Sequence, residues 1–289
     1  MKPFGSTVKP FDWHRTVRTI FCNVVLAAAL AALCANAGAG QRCDRQLATP
    51  EANRLAAAAA ANAIATLNAQ QRPIALIARI GQDLSAQRLL YSHAAFVIAD
   101  DTTHPQTWQV THLLNECGSD RGALYREGML NFYLDSPLSY QSKIVFLQPA
   151  LEQQLLRALT IHHGKAVFEP RYSVIAKPYS KTRQNSTAWM LEVIAAASHA
   201  APDSRTEASA VLQAQHYQAD TIHIPYSMRI LGGLTRANTV FTDHSLGTRL
   251  SGEYPVSTVH SVFRYLRENH LVASELTLTP SGSTLILGE

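Results

Sequence analysis

The sequence contains few cysteines, few charged residues and few long apolar runs. Only four of its 289 residues are cysteines, and charged residues make up 16% of the chain. The lysines and arginines after residue 40 form no clustered stripe, which argues against a nucleic-acid-binding protein. No segment after residue 40 reaches the roughly twenty apolar residues that cross a bilayer. We therefore expect no transmembrane span in the mature chain, and no sequence feature points to a metal or a cofactor.

The first forty residues have the layout of a secretory signal peptide. A basic region up to Arg18 precedes an apolar run at 19–35, which ends in Ala35-Asn36-Ala37-Gly38-Ala39. Small residues at alternate positions fit the signal peptidase, so we expect cleavage after Ala37 or Ala39. A retained membrane anchor is the alternative, but the run is short for a span. The sequence predicts a periplasmic or extracellular protein that has lost residues 1–39.

Two cysteines, Cys43 and Cys117, remain after this cleavage. In an oxidising compartment such a pair favours one disulfide, which would tie the mature N-terminus to the loop after a central strand. Two free thiols are the alternative. Neither cysteine belongs to a C-x-x-C pair, so no redox or zinc motif is visible.

The apolar periodicity predicts an α+β fold in which helices pack on an antiparallel sheet. Strand patterns lie at 74–80, 93–99, 108–114 and 143–148, and helix patterns at 49–72, 122–132, 149–162, 185–198 and 256–267. A terminal strand or hairpin is expected at 276–287. We divide the mature chain into a core domain, residues 40–200, and a C-terminal extension, residues 201–289, packed on that core.

Three residues could together form a catalytic site. His93 opens one predicted strand, His112 lies in the next, and Ser186 stands at the start of an apolar helix. A hydroxyl at a helix N-terminus gains from the helix dipole and from unpaired backbone N–H groups. One histidine could take its proton, and a second polar side chain could hold that histidine in one tautomer.

The sequence around these residues resembles a bacterial family of exported proteins of unknown function. The resemblance rests on an R-x-G-x-D-L-S…Y-S-H-A-x-F core and on a later helix start. The matching residues are Arg79, Gly81, Asp83, Leu84, Ser85, Tyr91, Ser92, His93, Ala94 and Phe96, then Pro178, Tyr179, Ser180, Gln184, Asn185 and Ser186. A histidine strand that precedes a nucleophile helix is also similar to the circularly permuted papain-like fold. That superfamily is of the NlpC type and includes lecithin:retinol acyltransferase.

The papain-like resemblance implies a role for each residue of this possible catalytic site. His93 corresponds to the catalytic base and His112 to the residue that orients it, while Ser186 falls where a catalytic cysteine is expected. We expect Asp83, Asn185 and Tyr179 to line the site as binding residues. The alternatives are that Ser186 is a plain helix cap, that the histidines are ordinary core or strand residues, and that Asp83 only shapes its loop.

Three functions follow from these interpretations. The first is a hydrolase or acyltransferase of the cell envelope that acts on an amide or ester through Ser186. The second is a catalytically degenerate module of the same fold that binds an envelope ligand or protein. The third is a structural envelope protein without a cleft. A serine needs full general-base help and an oxyanion hole, so the first function requires Ser186 and His93 within hydrogen-bond reach. A large distance between them would favour the third function over the other two.

Overall fold

The structure is a computed structural model that describes residues 48–100, 107–135, 137–161, 164–198, 204–279 and 282–286. The predicted signal peptide and Cys43 lie outside these residues. Within them, no helix is long and apolar enough to cross a membrane.

A seven-stranded antiparallel sheet forms the centre of the described chain, with the strand order β4-β3-β2-β1-β5-β8-β9. The strands are β1 (Ile74–Ile80), β2 (His93–Asp100), β3 (Thr107–Asn115), β4 (Gly122–Gly128), β5 (Ser139–Leu147), β8 (Val272–Thr279) and β9 (Gly282–Ile286). A separate ribbon pairs β6 (Asp220–His223) with β7 (Glu253–Val256). The predicted α+β class, with an antiparallel sheet and packed helices, is confirmed.

Eight helices accompany these strands in the described residues. They are α1 (Pro50–Gln70), α2 (Met129–Leu134), α3 (Pro149–Ile161), α4 (Ser186–Ser198), α5 (Arg205–Ala214), α6 (Tyr226–Thr235), α7 (Leu246–Ser251) and α8 (Val259–Glu268). The start of α1 is as predicted: Pro50 occupies its first turn, and the Thr49 hydroxyl accepts a hydrogen bond from the N–H of Ala52 at 3.1 Å.

The sheet carries a separate apolar core on each face, because successive side chains of a strand point to opposite sides. On one face, Ala94 and Phe96 of β2 pack with residues of α3, α4, α5 and α8. On the other face, Ala95 and Val97 pack with residues of α1 and α2. We call these the α4 face and the α1 face.

Two predicted elements differ from the structure. The sequence predicts one helix over 122–132, but Gly122–Gly128 is strand β4, paired along its length with β3, and only Met129–Leu134 is helical. The partly apolar sequence GALYREG fits either period, and pairing with β3 makes this segment the edge strand of the sheet. The expected terminal hairpin begins earlier, at Val272, and pairs with β5. Residues after 201 therefore supply two strands of the central sheet as well as α8 in the α4-face core.

Candidate functional site

Two histidines from neighbouring strands are in direct contact. The Nε2 atom of His93, the first residue of β2, lies 2.9 Å from the Nδ1 atom of His112 on β3. The ring centroids are 5.1 Å apart. His112 is buried, whereas His93 is half-buried. Among the described residues, no hydrogen bond reaches the Nδ1 atom of His93, and this atom is not one of the fully buried polar atoms without a partner.

Arg79, next to His93 across the β1–β2 pairing, gives this site a positive charge. Arg79 is buried, and its guanidinium lies 4.9 Å from the ring centroid of Phe132. It donates to the Asp135 carbonyl at 2.9 Å and forms an ion pair with the Asp135 carboxylate. Its Nε atom has no hydrogen-bond partner among the described residues. The guanidinium is thus fixed beside the histidine pair.

The surroundings of His93 favour its neutral form. Desolvation, the neighbouring His112 and the charge of Arg79, in that order, lower the pKa of His93 well below its usual value of 6.5. A neutral imidazole keeps one nitrogen lone pair free to accept a proton or a hydrogen bond. The imidazole ring of His93 is therefore uncharged at neutral pH.

Glu127 of β4 lies on the far side of His112. Its Oε1 atom is 3.2 Å from His112 Nε2, which is within ion-pair distance. The same Nε2 atom meets no hydrogen-bond geometry with any described residue, so the carboxylate is near but not aligned. A carboxylate at this position favours a proton on Nε2 of His112, which leaves Nδ1 to accept from His93. Glu127, His112 and His93 thus form a chain that ends at the Nδ1 atom of the half-buried His93.

Ser186 is the first residue of α4 but does not cap it. The cap is Asn185, whose Oδ1 atom accepts the N–H of Ala188 at 2.6 Å. The Asn185 amide also donates to the carbonyls of Val174 and Ser257, each at 3.2 Å. The suggestion that Ser186 is the N-cap is therefore wrong by one residue. Ser186 itself is buried, and its Oγ atom lies 3.4 Å from the hydroxyl of Tyr172.

The sheet separates Ser186 from the histidines. Phe96 of β2 meets Trp189 of α4, with their ring centroids 5.6 Å apart, so even-numbered residues of β2 face α4. His93 has the opposite parity, and its ring lies 6.1 Å from that of Phe132 on the α1 face. Within the described residues no hydrogen bond joins Ser186 to His93. The structure brings together the two histidines but not the expected nucleophile and base.

The expected binding residues occupy separate positions. Asp83 is exposed, and it accepts the N–H of Ser85 at 2.9 Å within its own loop, where hydrogen bonds from Ser85 lower its pKa. Tyr179 has a positive φ of 61° and donates its hydroxyl to the Tyr217 carbonyl at 3.2 Å. Tyr179 and the capping Asn185 thus support the α4 side, while Asp83 shapes the loop before β2.

Cys117 lies in the turn between β3 and β4. Its expected partner, Cys43, lies outside the described residues, so the pairing of these two cysteines stays a prediction.

Sequence reasoning missed Glu127 and Phe132 as neighbours of the histidines. Glu127 stands two residues from Tyr125, the residue that pairs with His112, and so shares its face. That signal was hidden because the pattern of residues 122–132 favours a helix.

Across the residues that the structure describes, there is no group of three histidine, cysteine or acidic side chains that could hold a metal ion.

Fold and site together define an α+β protein whose antiparallel sheet carries a histidine pair on its α1 face. The chain belongs to a bacterial family described as "uncharacterized protein conserved in bacteria" (DUF2145), whose model matches residues 66–266. The match spans both histidines and Ser186, and it confirms the expected family of unknown function. No curated protein and no solved structure matches the chain significantly.

Proposed function

We propose that the mature protein is a non-catalytic protein of the cell envelope that binds a ligand or protein at its histidine pair, without the papain-like arrangement of nucleophile and base. The observation that carries this proposal is the separation of Ser186 and His93 by the sheet. A general base must come within hydrogen-bond reach of the proton that it removes. The hydrolase alternative needs that approach, and the two residues have no route to it through a packed core.

The immediate surroundings of Ser186 also argue against catalysis by this residue. Its hydroxyl is buried beside that of Tyr172, and burial raises the pKa of Tyr172. A neutral phenol cannot take the serine proton, so this contact does not activate Ser186. Ser186 then serves the packing of the start of α4.

The histidine pair is the part of the expected site that keeps a polar group open to a ligand. His93 is half-buried and neutral, and Nδ1 can exchange a hydrogen bond with a bound group. We infer that His93 contributes to ligand binding on the α1 face. His112 and Glu127 act through it by fixing its orientation.

A labelling experiment tests the loss of catalysis. The purified protein is treated with a fluorophosphonate probe and with generic ester and amide substrates, beside the variants Ser186→Ala and His93→Ala. We expect no mass shift at Ser186 and no turnover above that of Ser186→Ala. An acyl- or phosphonyl-enzyme on Ser186, lost in His93→Ala, would overturn the proposal in favour of a hydrolase.

Binding is tested with purified, lipid-free peptidoglycan sacculi in a sedimentation assay. We expect the protein to sediment with the sacculi, Ser186→Ala to behave like the unchanged protein, and His93→Ala to bind at least about tenfold more weakly. Loss of one hydrogen bond to a desolvated ligand group accounts for a change of that size. Equal sedimentation of all three proteins would remove His93 from the binding surface.

Export is the remaining part of the proposal, and it rests on the layout of residues 1–39. Mass analysis of protein recovered from the periplasm should give a new N-terminus after Ala37 or Ala39. Non-reducing peptide mapping should then join Cys43 to Cys117. A full-length N-terminus in the cytoplasmic fraction would contradict export.

A further inference from the structure

Five exposed apolar side chains lie close together in sequence on α6 and α7. Tyr226, Met228 and Ile230 of α6 are 70%, 50% and 49% exposed, and Leu246 and Leu250 of α7 are 63% and 72% exposed. Together they are five of the nine exposed large apolar residues in the described chain. Clustered apolar exposure on a protein surface marks a site of interaction, whereas single exposed residues are ordinary. We call these five residues the α6–α7 surface.

The two helices that carry this surface adjoin each other. The Arg229 guanidinium of α6 hydrogen-bonds to the backbone carbonyls of Arg249 and Leu250 at the end of α7. The same guanidinium lies 5.3 Å from the ring centroid of Tyr226. Tyr226 and Ile230 are one helical turn apart, as are Leu246 and Leu250, so each pair shares a side of its helix. Arg229 therefore links the apolar residues of α6 to those of α7.

The charge around this surface is positive. Residues 224–252 contain three arginines, Arg229, Arg236 and Arg249, and a single acid, Asp243. Asp243 is bound internally, because its carboxylate accepts the N–H of Lys177 at 3.0 Å and the hydroxyl of Ser180 at 2.8 Å. The next acid, Glu253, pairs with His223 at 2.6 Å. With His244 neutral, three arginines against one aspartate give residues 224–252 a formal net charge of +2.

We propose that the α6–α7 surface docks this protein on an anionic phospholipid bilayer. Apolar side chains beside arginines suit the boundary between acyl chains and phosphate headgroups, where short helices lie in the plane of the membrane. Neither α6 nor α7, at 10 and 6 residues, is long enough to span it. The α6–α7 surface includes neither histidine of the pair, so the inference does not depend on the proposed ligand site.

Vesicle flotation tests this inference on the full exported protein. The vesicles contain either phosphatidylcholine alone or phosphatidylcholine with phosphatidylglycerol. We expect binding to the anionic vesicles, weaker binding to the neutral ones, and release by about 0.5 M salt as the charges are screened. Leu246→Ser with Leu250→Ser should lower the partition coefficient at least about tenfold, and Arg236→Gln about fivefold.

A matched control replaces equally exposed apolar residues elsewhere. Leu138 and Ile161 are 62% and 64% exposed, so Leu138→Ser with Ile161→Ser removes the same kind of surface and should leave flotation unchanged. Should a variant fold poorly, Tyr226→Trp gives a second readout: the fluorescence of the introduced indole should shift to the blue on anionic vesicles. Equal loss in both double variants, or an indole signal that does not shift, would overturn the inference. So would a dimer in solution that the Leu246 and Leu250 changes dissolve, because a second copy would then be the partner.

Discussion

The Nε2 atom of His93 and the Nδ1 atom of His112 lie 2.9 Å apart, so these two rings share one hydrogen bond between neighbouring strands. The relationship ties the tautomer of each ring to that of the other. With the proton of His112 on the Nε2 atom that faces Glu127, His93 donates from Nε2 and keeps its Nδ1 lone pair. A change at any one of the three residues should therefore alter the hydrogen-bonding state of His93 Nδ1.

The first prediction concerns stability in acid. The pKa of His93 is lowered well below 6.5 by burial, by His112 and by Arg79, so the unfolded chain binds a proton there more readily than the folded chain. The stabilisation is present above about pH 6.5 and is lost as the pH falls, by up to about 1.4 kcal/mol per pH unit for one proton. Burial also lowers the pKa of His244, which acts in the same direction. Urea unfolding at about pH 7.5, 6.0 and 5.0, which brackets the ordinary histidine pKa, measures the slope.

The variant His93→Gln should reduce the dependence of the free energy of unfolding on pH, whatever its effect on stability at neutral pH. The exposed His216, replaced by Asn, shows the effect of removing a histidine elsewhere. If the free energy of unfolding of His93→Gln follows the same pH curve as the unchanged protein, His93 does not carry the effect.

The second prediction assigns part of that low pKa to Arg79. In Arg79→Gln the positive charge beside His93 is gone and Asp135 keeps its negative charge, so the pKa of His93 should rise towards its ordinary value. Arg79→Lys keeps the charge and loses the two-pronged contact with Asp135, so the pKa of His93 should stay low. Histidine ring signals in NMR, followed from about pH 4 to 8, measure both. A pKa that rises equally in both variants would show that packing and not charge controls His93.

The third prediction separates Asn185 from Ser186 at the start of α4. Asn185→Ala removes the cap of Ala188 and leaves the carbonyls of Val174 and Ser257 without their donor, which should cost about 2–4 kcal/mol. Ser186→Ala removes one contact at 3.4 Å and should cost less than about 1 kcal/mol. Urea unfolding at neutral pH compares the two. A larger loss of unfolding free energy in Ser186→Ala than in Asn185→Ala would show that Ser186, and not Asn185, caps α4.

Much of the fold follows from local pattern, but the two faces of the sheet do not. The runs at Ile74–Ile80 and from His93 onward are continuously apolar and short. Both features are typical of buried strands and not of helices. The spacing of His93 and His112 predicts neighbouring strands, as the structure has them. Which face α4 covers is a tertiary choice, and it places Ser186 away from both histidines.

The position of Glu127 beside His112 could not be predicted from local sequence either. Its place near His112 depends on the register of β4 with β3, in which His112 pairs with Tyr125. A one-residue slip would turn Glu127 to the other face, and no local propensity sets that register. The sequence could name the two histidines of the site, but not the acid behind them.

The last prediction uses two glycines to test the packing of α4. Gly164 has a φ of +65°, and a Cβ atom there would lie 2.6 Å from the Cζ2 atom of Trp189. Trp189 is fully buried, and its Nε1–H donates to the Gly164 carbonyl at 3.1 Å, so the indole cannot move aside without losing a hydrogen bond. Gly164→Ala therefore adds a left-handed strain of about 1 kcal/mol to a clash in a close-packed core. We expect a loss of about 2–4 kcal/mol in urea unfolding.

Gly128 is the matched control, because it has a φ of −78° and a Cβ atom there would meet nothing within 4 Å. Gly128→Ala should change the free energy of unfolding by less than about 0.5 kcal/mol, since reduced freedom of the unfolded chain offsets a slightly poorer cap of α2. Near-equal stabilities for the two variants would mean that Trp189 is not held against Gly164. The α4 face would then be loosely packed at Trp189, and the case for a rigid barrier between Ser186 and His93 would weaken with it.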